Sequence, residues 1–305
     1  QRQMCIRDRS TVVNFDNGGK FIFFSNRVEM KDWPDVKENF ILSGFAMVIA
    51  ESILHKNQIE WGIILLTSVI VMCYTAAANA LNDAIDYKID LINKPTRPIP
   101  MGYVQIKSAM VISYILFSTG ALLCMQLSDT SKMIGIIIAI PLMVVYNTSL
   151  KGKPLIGNIA VSLTLGLSFL FCGSAHGNVV PMWIPMILAF GLTLIRELVK
   201  DIADIEGDRS IGISPFPIIA GIDRAVHLTV FLALLVGLGS LIPYFNGTYG
   251  FYYGILLILG VEIPLGLVVF LLLNNPGITS ATKGTRILKF STFMGLIAIY
   301  AGTIK

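Results

Sequence analysis

The amino-acid sequence predicts an all-α, polytopic membrane protein, a bundle of nine transmembrane helices with two repeated Asp-rich motifs at its cytoplasmic face. Only 14% of the 305 residues are charged and 54% are apolar, whereas a soluble domain carries about 25% charged residues. Nine apolar runs are long enough, with their polar flanks, to serve as spans of about 20 residues each. With the N-terminus in the cytoplasm, 20 of the 23 Lys and Arg residues fall on the cytoplasmic side, as the positive-inside rule requires. The odd number of spans then leaves the C-terminus outside the cell membrane. These figures exclude most soluble enzymes, and a net charge of +4 is too weak to suggest nucleic acid.

Residues 1–35 form an N-terminal segment read as partly non-native or disordered. The stretch 1–10 is polar and lacks the apolar core of a signal peptide, and MCIRDR (4–9) resembles translated adaptor sequence. One transmembrane domain follows over 36–305. Its expected spans are 40–54, 61–82, 108–127, 133–146, 155–175, 183–202, 225–244, 251–273 and 287–303. Cys5, Cys73, Cys124 and Cys172 form no CxxC pair and read as small core residues rather than zinc ligands. His55, His176 and His227 make no HExxH motif and read as structural or interfacial. Glu262 stands alone inside the eighth span, where it either lines a cavity or pairs with a neighbouring helix.

The second span ends in Asn82, Asp83, Asp86 and Asp90; the sixth ends in Asp201, Asp204 and Asp208. Both sets place Asp at i, i+3 and i+7, 118 residues apart, and both are followed by Pro-x-Pro, at Pro98–Pro100 and Pro215–Pro217. The second half thus reads as a repeat of the first. On continuous helices the first set spans about 100° of one face, and the second, with Glu197, about 60°. Like charges so placed repel and need compensation. Magnesium supplies it, since it takes carboxylate oxygens, keeps waters and bridges to substrate phosphates. Two such stripes facing each other, with basic residues beside them, make a Mg2+-dependent diphosphate site.

The basic partners lie on the same face. Lys94 and Arg97 sit in a Pro-stiffened turn, from which Arg can grip phosphate with two donors. Lys151 follows the fourth span as a phosphate ligand, with Lys153 a weaker choice. Lys200 lies near the acidic face of the sixth span, whereas Arg196 points away from it and ranks as a helix–helix or loop partner.

The motifs N-D-x-x-D-x-x-x-D (82–90) and D-x-x-x-D (204–208) resemble those of the UbiA-type intramembrane prenyltransferases, over residues 39 to 303. Three stretches narrow the resemblance: NDAIDYKIDLINKPTRPIPMG (82–102), LKGKPLIGNIAVSLTLGLSFLFCGS (150–174) and RELVKDIADIEGDRSIG (196–212). They are most similar to the branch that attaches a second geranylgeranyl chain to geranylgeranylglyceryl phosphate, the diether core of archaeal-type membrane lipids. Relatives open with an Arg-Pro-x-Asn-like start, of which 36–40 here keeps only Asn39.

The resemblance implies that Asn82, Asp86 and Asp90 serve one Mg2+ and Asp201, Asp204 and Asp208 another, with Asp83 in support. Lys94, Arg97 and Lys151 would then hold the diphosphate, and Asp86, Asp90, Asp204, Asp208, Arg97 and Lys151 would form the catalytic set. The acceptor phosphate would need its own anion site, for which Lys153, Lys200 and Arg209 are the candidates. The implied partners are a prenyl diphosphate, a lipid-like acceptor and membrane lipids, with no nucleic acid and no protein partner. A quinone-precursor or tetrapyrrole acceptor is the alternative within the family. A cation-coupled transporter is the alternative outside it, disfavoured because the acids cluster at span ends rather than at the midplane. A CDP-alcohol phosphotransferase would need D-G-x-x-A-R, which the sequence lacks.

Overall fold

The structure, a computed structural model, describes residues 11–14, 20–23, 60–210 and 212–303. The expected first span at 40–54, Asn39, His55 and most of 1–35 lie outside the described residues. Within 1–35 two short strands, β1 (Thr11–Asn14) and β2 (Lys20–Phe23), pair antiparallel, with Thr11 opposite Phe23. From Glu60 onward every regular element among the described residues is helical.

Seven helices are long and apolar enough to cross a membrane. In chain order they are α1 (Trp61–Ile85), with the short α2 (Tyr87–Asn93) after it, then α3 (Ile106–Cys124), α4 (Asp129–Leu150), α5 (Ile156–Ala175) and α6 (Trp183–Ala203). The short α7 (Ile205–Ser210) and α8 (Phe216–Ala220) lead to α9 (Ile222–Phe245) and α10 (Phe251–Asn274). The run expected to span at 287–303 lies in α11 (Ile278–Thr303), which is helical for 26 residues. Lys283, Arg286 and Lys289 in its first half keep it outside the seven, so nine spans is more than the described helices establish.

The packing is that of a bundle whose exterior is apolar. Along α3, Ala109, Ser113, Phe117, Gly120 and Cys124 face inward, while Val111, Tyr114, Ile115 and Leu122 are exposed. Along α9, Ala225, Thr229, Ala233, Gly237 and Ser240 are buried, and Phe231, Leu234, Leu235 and Leu238 face out. Small residues inward let backbones approach, which is how helices associate where lipid removes the usual hydrophobic drive. The Ser113 hydroxyl exploits that approach and donates to the Ala77 carbonyl at 2.8 Å. Helix α6 is central, packing on α5, α9 and α11, with Ile195, Leu198, Val199 and Ile202 fully buried.

Two expectations about polar residues inside spans resolve here. Glu262 accepts a hydrogen bond from the Ser240 hydroxyl of α9 at 2.7 Å. It lines a small cavity of about 210 Å³ between α9 and α10 rather than the main one, so it is a helix–helix partner. His227 sets its Nδ1 2.7 Å from the Asp223 carbonyl one turn earlier, a local helical contact.

Candidate functional site

The first motif occupies a break in the helix. Asn82 and Asp83 close α1, Asp86 caps it with φ −78° and ψ 2°, and α2 then carries Asp90. A single continuous helical face, as expected from sequence, is therefore replaced by two helical segments hinged at the middle aspartate. Asp83, Asp86 and Asp90 are all buried, and two basic side chains from elsewhere meet them. Arg97 donates from Nη1 to Asp83 Oδ1 at 2.6 Å and to Asp90 Oδ2 at 2.8 Å. Lys151 donates from Nζ to Asn82 Oδ1 at 2.6 Å and also bonds Asp86.

Local backbone explains how Lys151 arrives there. The end of α4 widens into a π-helical turn over Tyr146–Leu150, a distortion frequent at functional sites. Gly152 then reverses the chain at φ 77°, where a side chain would be strained. Burial pushes the Lys151 ammonium below its usual range, and the Asp86 carboxylate opposes that shift.

The second motif has the same break and different company. Helix α6 carries Asp201, Asp204 caps it at φ −92° and ψ 3°, and α7 carries Asp208. Asp201 accepts from the Asn158 amide of α5 at 2.8 Å. Among the described residues Asp204 and Asp208 make no hydrogen bond or ion pair through their side chains. Burial, reinforced by the neighbouring Asp204 charge, pushes the Asp208 carboxyl up to about 6. One turn deeper, Glu197 is buried between two cations, Arg196 Nη1 at 2.8 Å and Lys200 Nζ at 3.5 Å.

One cavity of about 1120 Å³ joins these groups. Its polar end holds Asn82, Asp83, Asp86, Asp90, Lys94, Arg97, Lys151, Lys153, Lys200, Asp201, Asp204 and Asp208. Every candidate residue from the sequence is thus gathered except Arg209, which is exposed and does not line it. Arg196 lines the cavity, which corrects the expectation that it points elsewhere. The opposite end is apolar, walled by Phe169, Leu188, Leu192, Leu257, Val261 and Leu296 among others. Sequence reasoning missed Asn158 and the bridging role of Glu197. The available signal for Asn158 was an amide set in the otherwise apolar 155–175 run.

These donors suit Mg2+. No three acids among the described residues close into a finished metal cage. Mg2+ does not require one, because it binds through one or two carboxylates and takes its remaining oxygens from water and phosphate. Asp204 and Asp208 offer hard oxygen ligands without competing donors among the described residues, on the wall of a cavity large enough for a diphosphate.

The chain is similar to known proteins over most of its length. A model of the UbiA prenyltransferase family matches residues 42–283. A digeranylgeranylglyceryl phosphate synthase from Methanosarcina mazei is 36% identical over 240 residues, which is 78% of this chain and 81% of that one. A solved structure concerned with digeranylgeranylglyceryl phosphate synthase in membranes superposes with a TM-score of 0.75 at 30% identity, covering 90% of this chain and 98% of the other. A UbiA homolog from Archaeoglobus fulgidus bound to GPP and Mg2+ shares the fold, with a TM-score of 0.66 at 17% identity over 88% of this chain and 98% of its own.

Proposed function

The chain belongs to the UbiA prenyltransferase family, and from that premise we propose that it transfers a geranylgeranyl group from its diphosphate to the hydroxyl of geranylgeranylglyceryl phosphate, with Mg2+ as cofactor. One observation carries this reading. Both acidic motifs and their basic partners meet at the polar end of a single cavity whose other end is apolar. A prenyl diphosphate has that same polarity, an anionic head on a hydrocarbon chain. The chain is similar over most of its length to synthases of this specificity, which supports the choice of acceptor.

Arg97, Lys94 and Lys151 hold the diphosphate oxygens through charge-assisted hydrogen bonds. Asn82, Asp86 and Asp90 form one metal-binding set and Asp201, Asp204 and Asp208 the other, with Asp83 fixing Arg97. Bound Mg2+ supplies the positive charge that stabilises the departing diphosphate. The C–O bond breaks with its electron pair leaving on the diphosphate, and the apolar wall shelters the allylic cation from water. The acceptor hydroxyl then forms the ether bond and releases its proton. Because the cavity sits among lipid-facing helices, both lipid substrates can reach it from the bilayer.

The same reading fixes the topology. Residues 36–305 form the prenyltransferase domain, preceded by an N-terminal segment over 1–35. Nine spans, counting 40–54 and α11, place the N-terminus and the acidic motifs in the cytoplasm and the C-terminus outside the cell membrane. The excess of Lys and Arg on that face supports it.

The test is a product assay on purified protein with labelled geranylgeranyl diphosphate and Mg2+. Geranylgeranylglyceryl phosphate is expected to yield the diether, and an aromatic acid to yield nothing. Turnover of the aromatic acid alone would overturn the acceptor assignment, and turnover undiminished by EDTA would overturn the role of Mg2+.

A further inference from the structure

The repeat runs deeper into the membrane than its aspartates. At the same offset of 118 residues, Asn79 corresponds to Glu197 and Thr75 to Thr193, and all four line the cavity. On α1, Asn79 lies about 4.5 Å deeper than Asn82 and Thr75 about 6 Å deeper again, both on the helix face that carries Asp83. The two copies differ at this level. Glu197 is held by Arg196 and Lys200. Asn79 is neutral, and its buried Nδ2 has no partner among the described residues.

Other neutral polar groups on the cavity wall are already engaged. Asn82 accepts from Lys151, and Asn158 donates to Asp201. Thr164 and Thr292 donate to carbonyls one turn earlier in their own helices. Thr75 and Thr193 make no such bond among the described residues. Asn79 is set among Ala76, Ala77, Ala78 and Ala80, so alanine suits this stretch of α1 and the amide is the exception. A buried amide without a partner is costly, and the cost is offset when a ligand oxygen pairs with it. The χ2 torsion of asparagine is soft, which lets the amide turn either end toward the cavity.

We propose that Asn79 binds and orients the reacting hydroxyl of the acceptor, with the Thr75 hydroxyl one turn deeper extending the same neutral subsite. The proposal rests on the prenyl transfer given above. Geranylgeranylglyceryl phosphate has one free hydroxyl, flanked by an ether oxygen and a phosphate ester. The allylic carbon is the first atom of the donor's tail, so it lies just inside the diphosphate, at the level of Asn79 rather than of the aspartates. There the Asn79 carbonyl accepts the hydroxyl's hydrogen, and its N–H donates to a neighbouring glycerol oxygen. That contact turns an oxygen lone pair toward the allylic carbon. The donor's C–O bond breaks with its electron pair on the diphosphate, the hydroxyl oxygen forms the new C–O bond, and its proton passes to the departed diphosphate. Positive charge develops on the attacking oxygen as the bond forms, so the hydrogen bond to Asn79 strengthens in the transition state.

The experiment follows labelled geranylgeranyl diphosphate in full-length protein with Mg2+ present, and separates the ether product from the geranylgeraniol formed when water captures the cation. Asn79→Ala should lower kcat/KM for geranylgeranylglyceryl phosphate about ten-fold or more, the scale of one lost hydrogen bond to a group that gains charge. It should leave the KM for the diphosphate donor within about two-fold. The geranylgeraniol released per ether formed should rise, because the cation still forms and its proper captor is poorly placed. Asn79→Ser, which keeps a donor and an acceptor, should recover part of the loss. Thr75→Val should lower the acceptor kcat/KM about three-fold, and Thr75→Ser should not. Because the amide has no partner in the free protein, Asn79→Ala should hold or raise Tm, whereas removing an amide that serves the fold would lower it.

An acceptor kcat/KM and an alcohol-to-ether ratio both unchanged in Asn79→Ala overturn the subsite while leaving the reaction intact. A donor KM raised as much as the acceptor's assigns Asn79 to the diphosphate and overturns it too. So does a lowered Tm with an unchanged alcohol-to-ether ratio, the mark of a structural amide. If Asn79→Ala folds poorly, Asn79→Ser and Thr75→Val carry the same comparison. A wild-type protein that makes no ether from geranylgeranylglyceryl phosphate overturns the reaction and this subsite together.

Discussion

The two Asp-rich motifs share spacing, backbone break and cavity, yet they differ in what faces them. In the first, Arg97 ties Asp83 to Asp90 and Lys151 ties Asn82 to Asp86. In the second, Asp201 has a neutral amide, and Asp204 and Asp208 have no side-chain partner among the described residues. A repeat can keep its geometry while its electrostatics diverge. The first copy comes with its own compensating cations, which are also the groups suited to grip a diphosphate. The second copy has less compensation from the described residues: Lys200 and Lys151 act on Asp208 only through space, and burial with the Asp204 charge still pushes it up to about 6.

The sharpest way to break that comparison is to remove one acid from each side. Asp86→Ala and Asp204→Ala should each reduce prenyl transfer by at least about a hundred- to a thousand-fold, the scale for losing a key electrostatic contact to a leaving group. Both proteins should remain folded, as judged by size-exclusion profile and helical circular dichroism. Full activity in either variant would end the two-motif scheme.

Stability should separate the motifs next. Arg97→Ala strands two buried carboxylates, and breaking a buried pair from one side costs about 3–5 kcal/mol. Asp208→Asn removes a carboxylate that has no ion pair among the described residues and is pushed up by burial, so it should leave the metal-free protein equally or slightly more stable. A thermal melt in EDTA reads both, and an Arg97→Ala protein as stable as Asp208→Asn would contradict the assignment of Arg97 to the first motif.

Added Mg2+ should then reverse the order. A metal that binds only the folded state at 100 times its Kd stabilises by about 2.7 kcal/mol. The rise in Tm on adding Mg2+ should be largest in the wild type and nearly absent in Asp204→Asn with Asp208→Asn. An undiminished shift in that double variant would place the metal elsewhere.

Much of this arrangement was legible in the sequence, for a physical reason. Membrane residence makes charge scarce, so each charged residue left at a span end stands out against an apolar background. Asp83, Asp86, Asp90 and Asp201, Asp204, Asp208 could be found by spacing alone, and Lys94, Arg97, Lys151 and Lys200 by proximity to them. The breaks at Asp86 and Asp204 could not, because no Gly or Pro marks them and both motifs read as unbroken helix. Arg196 was misplaced for the same reason, since an angular reading fixes one face of an ideal helix and says nothing of which neighbours leave a cavity beside it. Asn158 lay hidden because a lone amide in an apolar run reveals nothing of its partner until α5 and α6 are packed together.

Asn158 supports the smallest prediction and the finest test of the comparison. Its amide is the only hydrogen-bond donor among the described residues that reaches Asp201, and it fixes one oxygen of a carboxylate that lines the cavity. A hydrogen bond to a charged group contributes about 1.5–3 kcal/mol, less when the freed carboxylate can turn toward water or metal. Asn158→Ala should therefore lower Tm modestly and weaken Mg2+ binding a few-fold without abolishing transfer. Asn158→Lys would bring to Asp201 the kind of cation that the first motif already has. If the second motif works because it is less compensated than the first, that added charge should stabilise the metal-free protein and depress Mg2+ binding and activity more than alanine does. The opposite ranking, lysine milder than alanine, would show that the contrast between the motifs is incidental to how they bind metal.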